Sequence, residues 1–118
     1  MWCSTGLWVG TRFPALVTCQ GKVLLAALSA EKVLEVLAEP SRSGLPVDTL
    51  APNQIDDILA ETRERGWALA DQDLAPGIRS IAVPVRDGRG VVRAAMNVAR
   101  ATVSPGRNAL SLRLASYE

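Results

Sequence analysis

Apolar residues crowd into one stretch, Gly77–Ala99, which reads GIRSIAVPVRDGRGVVRAAMNVA and is interrupted near its middle by charge and glycine. Strand side chains alternate, so Ile78, Ser80, Ala82 and Pro84 share one face and Arg79, Ile81, Val83 and Val85 the other. Asp87-Gly88-Arg89-Gly90 supplies a reversal, because glycine accepts positive φ. Val91-Val92 and the run from Ala94 to Val98 return. The pattern predicts a β-hairpin apolar enough to be covered on both faces, with Ser80 and Asn97 as its polar exceptions.

Upstream the apolar spacing changes from two to three and four. Thr18 can cap a helix whose stripe is Val23, Leu24, Ala27 and Leu28 and which stops near Leu28. Ser29 opens a second helix, with Val33, Leu34, Val36 and Leu37 as its apolar side and Glu39-Pro40 as its end. Ser41–Pro52 is rich in proline, serine and glycine and reads as loop. Asn53–Arg65 is the clearest helix. Ile55, Ile58, Leu59 and Thr62 share one face, acids fill its first half, Arg63 and Arg65 its end, and Gly66 stands where a left-handed C-terminal residue belongs.

The remaining segments are shorter. Thr5–Val9 favours a strand, and Gly10–Pro14 a turn or loop. Trp67-Ala68-Leu69 reads as a short strand and Ala70–Pro76 as an acidic loop. Pro105–Tyr117 reads as a last helix, capped by Ser104, although Leu110, Leu112 and Leu114 also alternate at period two and leave a strand open. The order of elements implies an α+β fold, an antiparallel sheet with helices packed against it.

At 118 residues the chain is one domain with 48% hydrophobic residues and a net charge of +1. That balance leaves no electrostatic footprint for nucleic acid, and 4% aromatics offer no stacking platform for single strands. No apolar run reaches the ~20 residues of a membrane span, and Met1–Val9 lacks the basic and apolar parts of a signal peptide. There is no histidine, and the two cysteines, Cys3 and Cys19, are separated. Histidine triads, Cys-His dyads and a zinc site are therefore excluded, and a disulfide scaffold is not expected.

Three stretches together resemble the effector-binding domain of the IclR family of bacterial transcriptional regulators. They are Val9–Leu28 (VGTRFPALVTCQGKVLLAAL), Arg65–Asp73 (RGWALADQD) and Leu74–Ala99 (LAPGIRSIAVPVRDGRGVVRAAMNVA). Family members show a loop like GTRLPAY, a TSxGRVLLA helix start, RGYA, a short acidic stretch, PGxRSIAVPV, and D-G-x-G before AALNV. The GTRFPA and RSIAVPVRD wording is nearest the branch that regulates aromatic-acid catabolism (protocatechuate, 4-hydroxybenzoate and β-ketoadipate pathways). The resemblance implies a fold similar to GAF and PAS domains, truncated at its N-terminus, with residues 1–118 forming a partial effector domain. It implies a cytoplasmic homodimer or tetramer that needs no cofactor or metal. DNA would be reached only through a winged helix-turn-helix domain absent from this chain.

The resemblance also implies a site. Effectors in the family meet the helix start, here Thr18, Cys19, Gln20 and Gly21, the polar residue of the first hairpin strand, Ser80, and the returning strand at Asn97 and Ala99. Unpaired amides at a helix start suit a carboxylate, and a pocket needs a few polar groups in an apolar lining. Arg12 has the donor fork to pair with an acid. Each residue also has a structural role open to it: Thr18 as a cap, Cys19 as packing, Ser80 and Asn97 as satisfied strand groups, Arg12 as a solvated loop residue. Four departures bear on the site. Ala70 replaces an acid or amide, Trp67 a tyrosine, Cys19-Gln20 the commoner Ser-Met or Ser-Gly, and Arg93 an aliphatic residue whose place in a core would be costly. The competing readings are an oligomerisation module or a remnant without ligand, and an enzyme using Cys19, for which no base is present.

Overall fold

A computed structural model describes residues 12–40, 50–71, 77–101 and 110–116. A 3-10 turn at Ala15–Val17 leads into three helices, α1 (Cys19–Ala26), α2 (Ala30–Ala38) and α3 (Pro52–Arg65). Four strands follow, β1 (Ala68–Asp71), β2 (Ile78–Arg86), β3 (Val92–Ala101) and β4 (Leu110–Ser116). They pair antiparallel in the order β1-β2-β3-β4, the α+β arrangement expected. The expected strand at Thr5–Val9, most of the Ser41–Pro52 loop and the segment between Asp71 and Gly77 lie outside the described residues.

Local chemistry sets the helix ends. The Thr18 hydroxyl accepts the Gly21 amide at 3.1 Å, and the Ser29 hydroxyl accepts the Lys32 amide at 3.2 Å. Pro52 opens α3, where its missing N–H costs nothing. Gln54 Oε1 reaches back to the Ala51 amide at 2.9 Å, one arm of a capping box. α3 ends at Gly66 with φ of 79°, a conformation that costs glycine little.

The helices share one core. Leu25, Ala26, Val33 and Leu59 are buried together, with Leu28, Leu37 and Ile55 packed against them. The apolar side expected for α2 is too wide: Leu34 is 67% exposed and Val36 is exposed as well. Only positions four apart, Val33 and Leu37, fall on the face that meets α1 and α3.

α1 is the helix that seats on the sheet. Its Cys19 and Val23 meet Ala68, Ala70, Ala82 and Ala95, a floor of methyl groups brought together by register. Ala68 stands opposite Ala82, and Ala70 opposite Ser80. Ser80 in turn faces Ala99, Ala82 faces Asn97, and Pro84 faces Ala95.

The hairpin is present, but its expected coverage on both faces is not. Leu69, Ile81, Val83, Met96 and Val98 line the opposite face and remain exposed among the described residues. The reason is one-sided packing: α1 lies on the alanine face, and α3 packs on α1. The turn itself is held by Asp87. Its Oδ1 accepts the amides of Arg89 (2.8 Å) and Val91 (3.1 Å), while its Oδ2 accepts Arg93 Nε at 2.8 Å. Arg93 therefore faces solvent with a partner and avoids the cost of a core position. Hydrogen bonding to Arg93, then to the Arg89 amide, holds the Asp87 carboxyl below the usual carboxylate range.

Three segment expectations need correction. β1 runs over Ala68–Asp71, so Ala70 and Asp71 belong to a strand rather than to the loop. Asp71 there pairs with Arg79 at 2.7 Å on the neighbouring strand. Trp67 precedes β1, with the Arg65 guanidinium 4.0 Å from its ring centre. Finally, Leu110–Ser116 is β4 and not a helix. The period-two leucines match a strand, and β3 offers an edge on which it pairs. Ser104, Pro105 and Tyr117 lie outside the described residues.

Candidate functional site

The start of α1 meets the middle of the sheet at a cluster of buried polar groups. Thr18 has extended backbone and turns its hydroxyl in two directions. It accepts from Gly21, as above, and donates to the Ala15 carbonyl at 3.4 Å. The next residue, Cys19, is fully buried, and its Sγ lies 3.2 Å from both Ser80 Oγ and Gln20 Oε1. Burial pushes the thiol pKa up, opposed in part by hydrogen bonds from Ser80, from the Gln20 and Cys19 backbone, and from Asn97.

Asn97 completes the cluster from β3. It is 3% exposed, and its Oδ1 is buried without a hydrogen-bond partner among the described residues. Most buried polar atoms are paired. An acceptor left open costs about 1–3 kcal/mol of desolvation. Ala99, half-buried, stands opposite Ser80 on the same face. The polar atoms of Cys19, Ser80 and Asn97 thus converge beside the first turn of α1, bordered by the methyls of Ala70, Ala82 and Ala99.

Of the residues singled out from the sequence, the fold brings Thr18, Cys19, Gln20, Ser80, Asn97 and Ala99 to this one place. Gly21 is there for another reason. A Cβ on it would fall 2.0 Å from the Ala15 carbonyl oxygen, so glycine is required for the 3-10 turn to lie against α1. Arg12 is exposed on the segment before that turn and is not part of the buried cluster. Arg79 points away from Ser80, as strand alternation requires, and pairs with Asp71.

Two contributors escaped the sequence reading. Lys22 Nζ donates to the Leu69 carbonyl at 3.2 Å and ties α1 to β1. The alanine floor was legible only as small residues at alternate strand positions, a pattern with no meaning until register aligns Ala68, Ala82 and Ala95.

Chemically, the arrangement presents the first turn of a helix, one orphaned acceptor and two small hydroxyl or thiol groups in an apolar frame. Among the described residues no group of three His, Cys, Asp or Glu could hold a metal ion. No described helix is long and apolar enough to cross a membrane.

The chain resembles known proteins over most of its length. The family model described as bacterial transcriptional regulator IclR C-terminal matches residues 3–110. The Pca regulon regulatory protein of Pseudomonas putida is 40% identical over 96 residues, which is 80% of this chain and 33% of that protein. A double mutant of the PobR transcription factor inducer-binding domain from Acinetobacter, in complex with 3-hydroxybenzoic acid, superposes with a TM-score of 0.68. It is 31% identical, over 79% of this chain and 55% of that one. An IclR homologue from Microbacterium hydrocarbonoxydans complexed with 4-hydroxybenzoate gives a TM-score of 0.64 at 29% identity, over 79% of this chain and 38% of that one. The chain spans about a third of the length of the curated relatives it matches. With nearly all of the sequence inside the family model and the same fold in the solved relatives, the chain belongs to the IclR C-terminal domain family.

Proposed function

We propose that this chain is the effector-binding part of a transcriptional regulator and that it takes a small aromatic or other organic acid. The observation that carries this reading is the open Oδ1 of Asn97, buried beside Cys19 and Ser80. A bound hydroxy acid supplies what the cluster lacks. Its carboxylate takes the amides at the start of α1, where the helix also contributes partial positive charge. Its hydroxyl donates to Asn97, and Ser80 and Cys19 border the space between. Protocatechuate and 4-hydroxybenzoate carry both groups; β-ketoadipate has a second carboxylate instead, which offers Asn97 Oδ1 no donor. That two structural relatives were solved with hydroxybenzoates supports the aromatic choice.

In this reading the ligand acts through quaternary geometry. It binds one arrangement of a homodimer or tetramer more tightly than another, and the difference in affinity is all that can move the equilibrium. DNA is contacted by a winged helix-turn-helix elsewhere in the regulator. Residues 1–118 then serve as the sensor, without a cofactor.

Calorimetric titration tests this. Protocatechuate, 4-hydroxybenzoate, β-ketoadipate, pyruvate and glyoxylate form the panel, with Asn97→Leu and Ser80→Ala as variants. Saturable heat from at least one acid, lost in Asn97→Leu, is the expected result. A folded sample that binds none of them would leave an oligomerisation module without ligand as the better account, and sedimentation would then report the assembly alone.

A further inference from the structure

The far end of α1 borders a second concavity. A cavity of about 560 Å³ opens between the C-terminal ends of α1 and α3 and the turn end of the β2–β3 hairpin. Its size falls within the range of small-molecule pockets. Val23, Pro84 and Val92 give it apolar walls, and Arg63, Arg86 and Arg93 stand around it. None of these residues is a polar group of the Cys19–Ser80–Asn97 cluster.

The three arginines are held in place by protein contacts that use only part of each guanidinium. Arg63 Nε donates to the Ala26 carbonyl at 2.6 Å, Arg86 Nη1 to the Gly90 carbonyl at 3.0 Å, and Arg93 Nε to Asp87 at 2.8 Å. A guanidinium has five N–H donors. The remaining N–H groups of all three have no protein partner among the described residues. Among the described residues Asp87, paired with Arg93, is the one acid in contact with any of them, so the rim of the cavity carries three cations against one anion. The carbonyl end of α1 would itself disfavour an anion. Arg63 covers its Ala26 oxygen, the Ala27 and Leu28 amides cover those of Leu24 and Leu25, and at the end of α3 the Gly66 amide covers that of Thr62, which lessens the objection.

We propose that this cavity is a second ligand site, for a small carboxylate with an apolar body. The carboxylate is held by the unused N–H groups of Arg63, Arg86 and Arg93, in the bidentate manner that suits the guanidinium fork. The apolar body lies against Val23, Pro84 and Val92. The site is independent of the effector reading, because no group is shared between the polar parts of the two.

The test is heteronuclear NMR of the protein titrated with benzoate, which has a carboxylate and an apolar ring but no hydroxyl donor. Benzamide serves as the uncharged control, and a short acidic peptide, acetyl-Leu-Glu-Leu-amide, as the alternative source of a carboxylate. Benzoate should shift the arginine side-chain signals of Arg63, Arg86 and Arg93 and the amides of Val23 and Val92. Benzamide should not reproduce those shifts. Arg86→Gln should weaken binding roughly tenfold, as loss of a charge-assisted hydrogen bond does, and so should Arg63→Gln. Arg86→Gln is the decisive variant, because Arg63 also closes the end of α1. Asn97→Leu should leave these shifts unchanged, which separates this site from the other. Unmoved arginine signals, equal shifts from benzamide, or binding of the peptide without benzoate would each overturn the proposal.

Discussion

The thiol of Cys19 and the hydroxyl of Ser80 lie 3.2 Å apart, joining the first residue of α1 to the first half of β2 across 61 positions of sequence. Helix and sheet thus meet through a polar contact at one end of α1, while Val23 and the alanines make the apolar contact along the rest.

Burial of that thiol has a chemical and a thermodynamic consequence. Cys19 should react with iodoacetamide at least tenfold more slowly than a free cysteine, since the thiolate is the nucleophile and both exposure and thiolate fraction are reduced. Peptide mapping by mass spectrometry reads Cys19 separately. Because its pKa is raised in the folded state, the contribution of Cys19 to stability is complete below the unfolded value of about 8.5 and is lost as pH rises through the folded value. Urea midpoints measured from neutral to alkaline pH should fall more steeply for the native protein than for Cys19→Ala.

Gly21→Ala should destabilise the fold by about 1–3 kcal/mol or more, as overpacking does. The clash is with the Ala15 backbone and not with a side chain that could swing aside. Urea denaturation measures it, and a variant as stable as the native protein would show that the 3-10 turn does not hold this position.

Asn97→Leu separates stability from binding. Replacing the orphaned acceptor with a hydrocarbon of similar shape removes a penalty of about 1–3 kcal/mol, which offsets the loss of the Asn97 hydrogen bond to Cys19, so the unliganded variant should be about as stable as the native protein. The same variant should bind no effector. A large loss of stability would mean that the Asn97 side chain has a structural role instead.

Among the described residues, the hairpin turn holds a carboxylate whose charge supports the fold. Asp87 has a lowered pKa through Arg93 and the Arg89 amide, so its contribution is present above the unfolded carboxylate range and is lost as pH falls through the folded value. Asp87→Asn retains an acceptor for the two turn amides but loses the charge. Its stability should be less dependent on pH in the acid range than that of the native protein, as thermal melts across that range would report.

Much of this fold was legible in the sequence where a local device decides the structure. Thr18, Ser29, Pro52 and Gly66 act within a few residues of themselves, and all four mark the helix boundaries that their chemistry implies. Legibility failed where partners are distant. The leucines of Leu110–Ser116 satisfied two periods, and only the edge of β3 selects one. Leu34 looked like a core residue because nothing in its own helix reveals how narrow the contact with α1 and α3 is. In the site, residue types could be read from motif and helix-cap logic. The open valence of Asn97 could not, because a missing partner is a property of the assembled fold.

The close approach of Gly21 to Ala15 has a mechanical consequence. With the Thr18 hydroxyl bonded to both residues, the 3-10 turn and the first turn of α1 form one stiff elbow. Cys19 is its tip, and Ser80 is what the tip touches. The chain leading into Ala15 is therefore joined to the sheet through a short relay of contacts, Ala15 to Thr18 and Gly21, then Cys19 to Ser80.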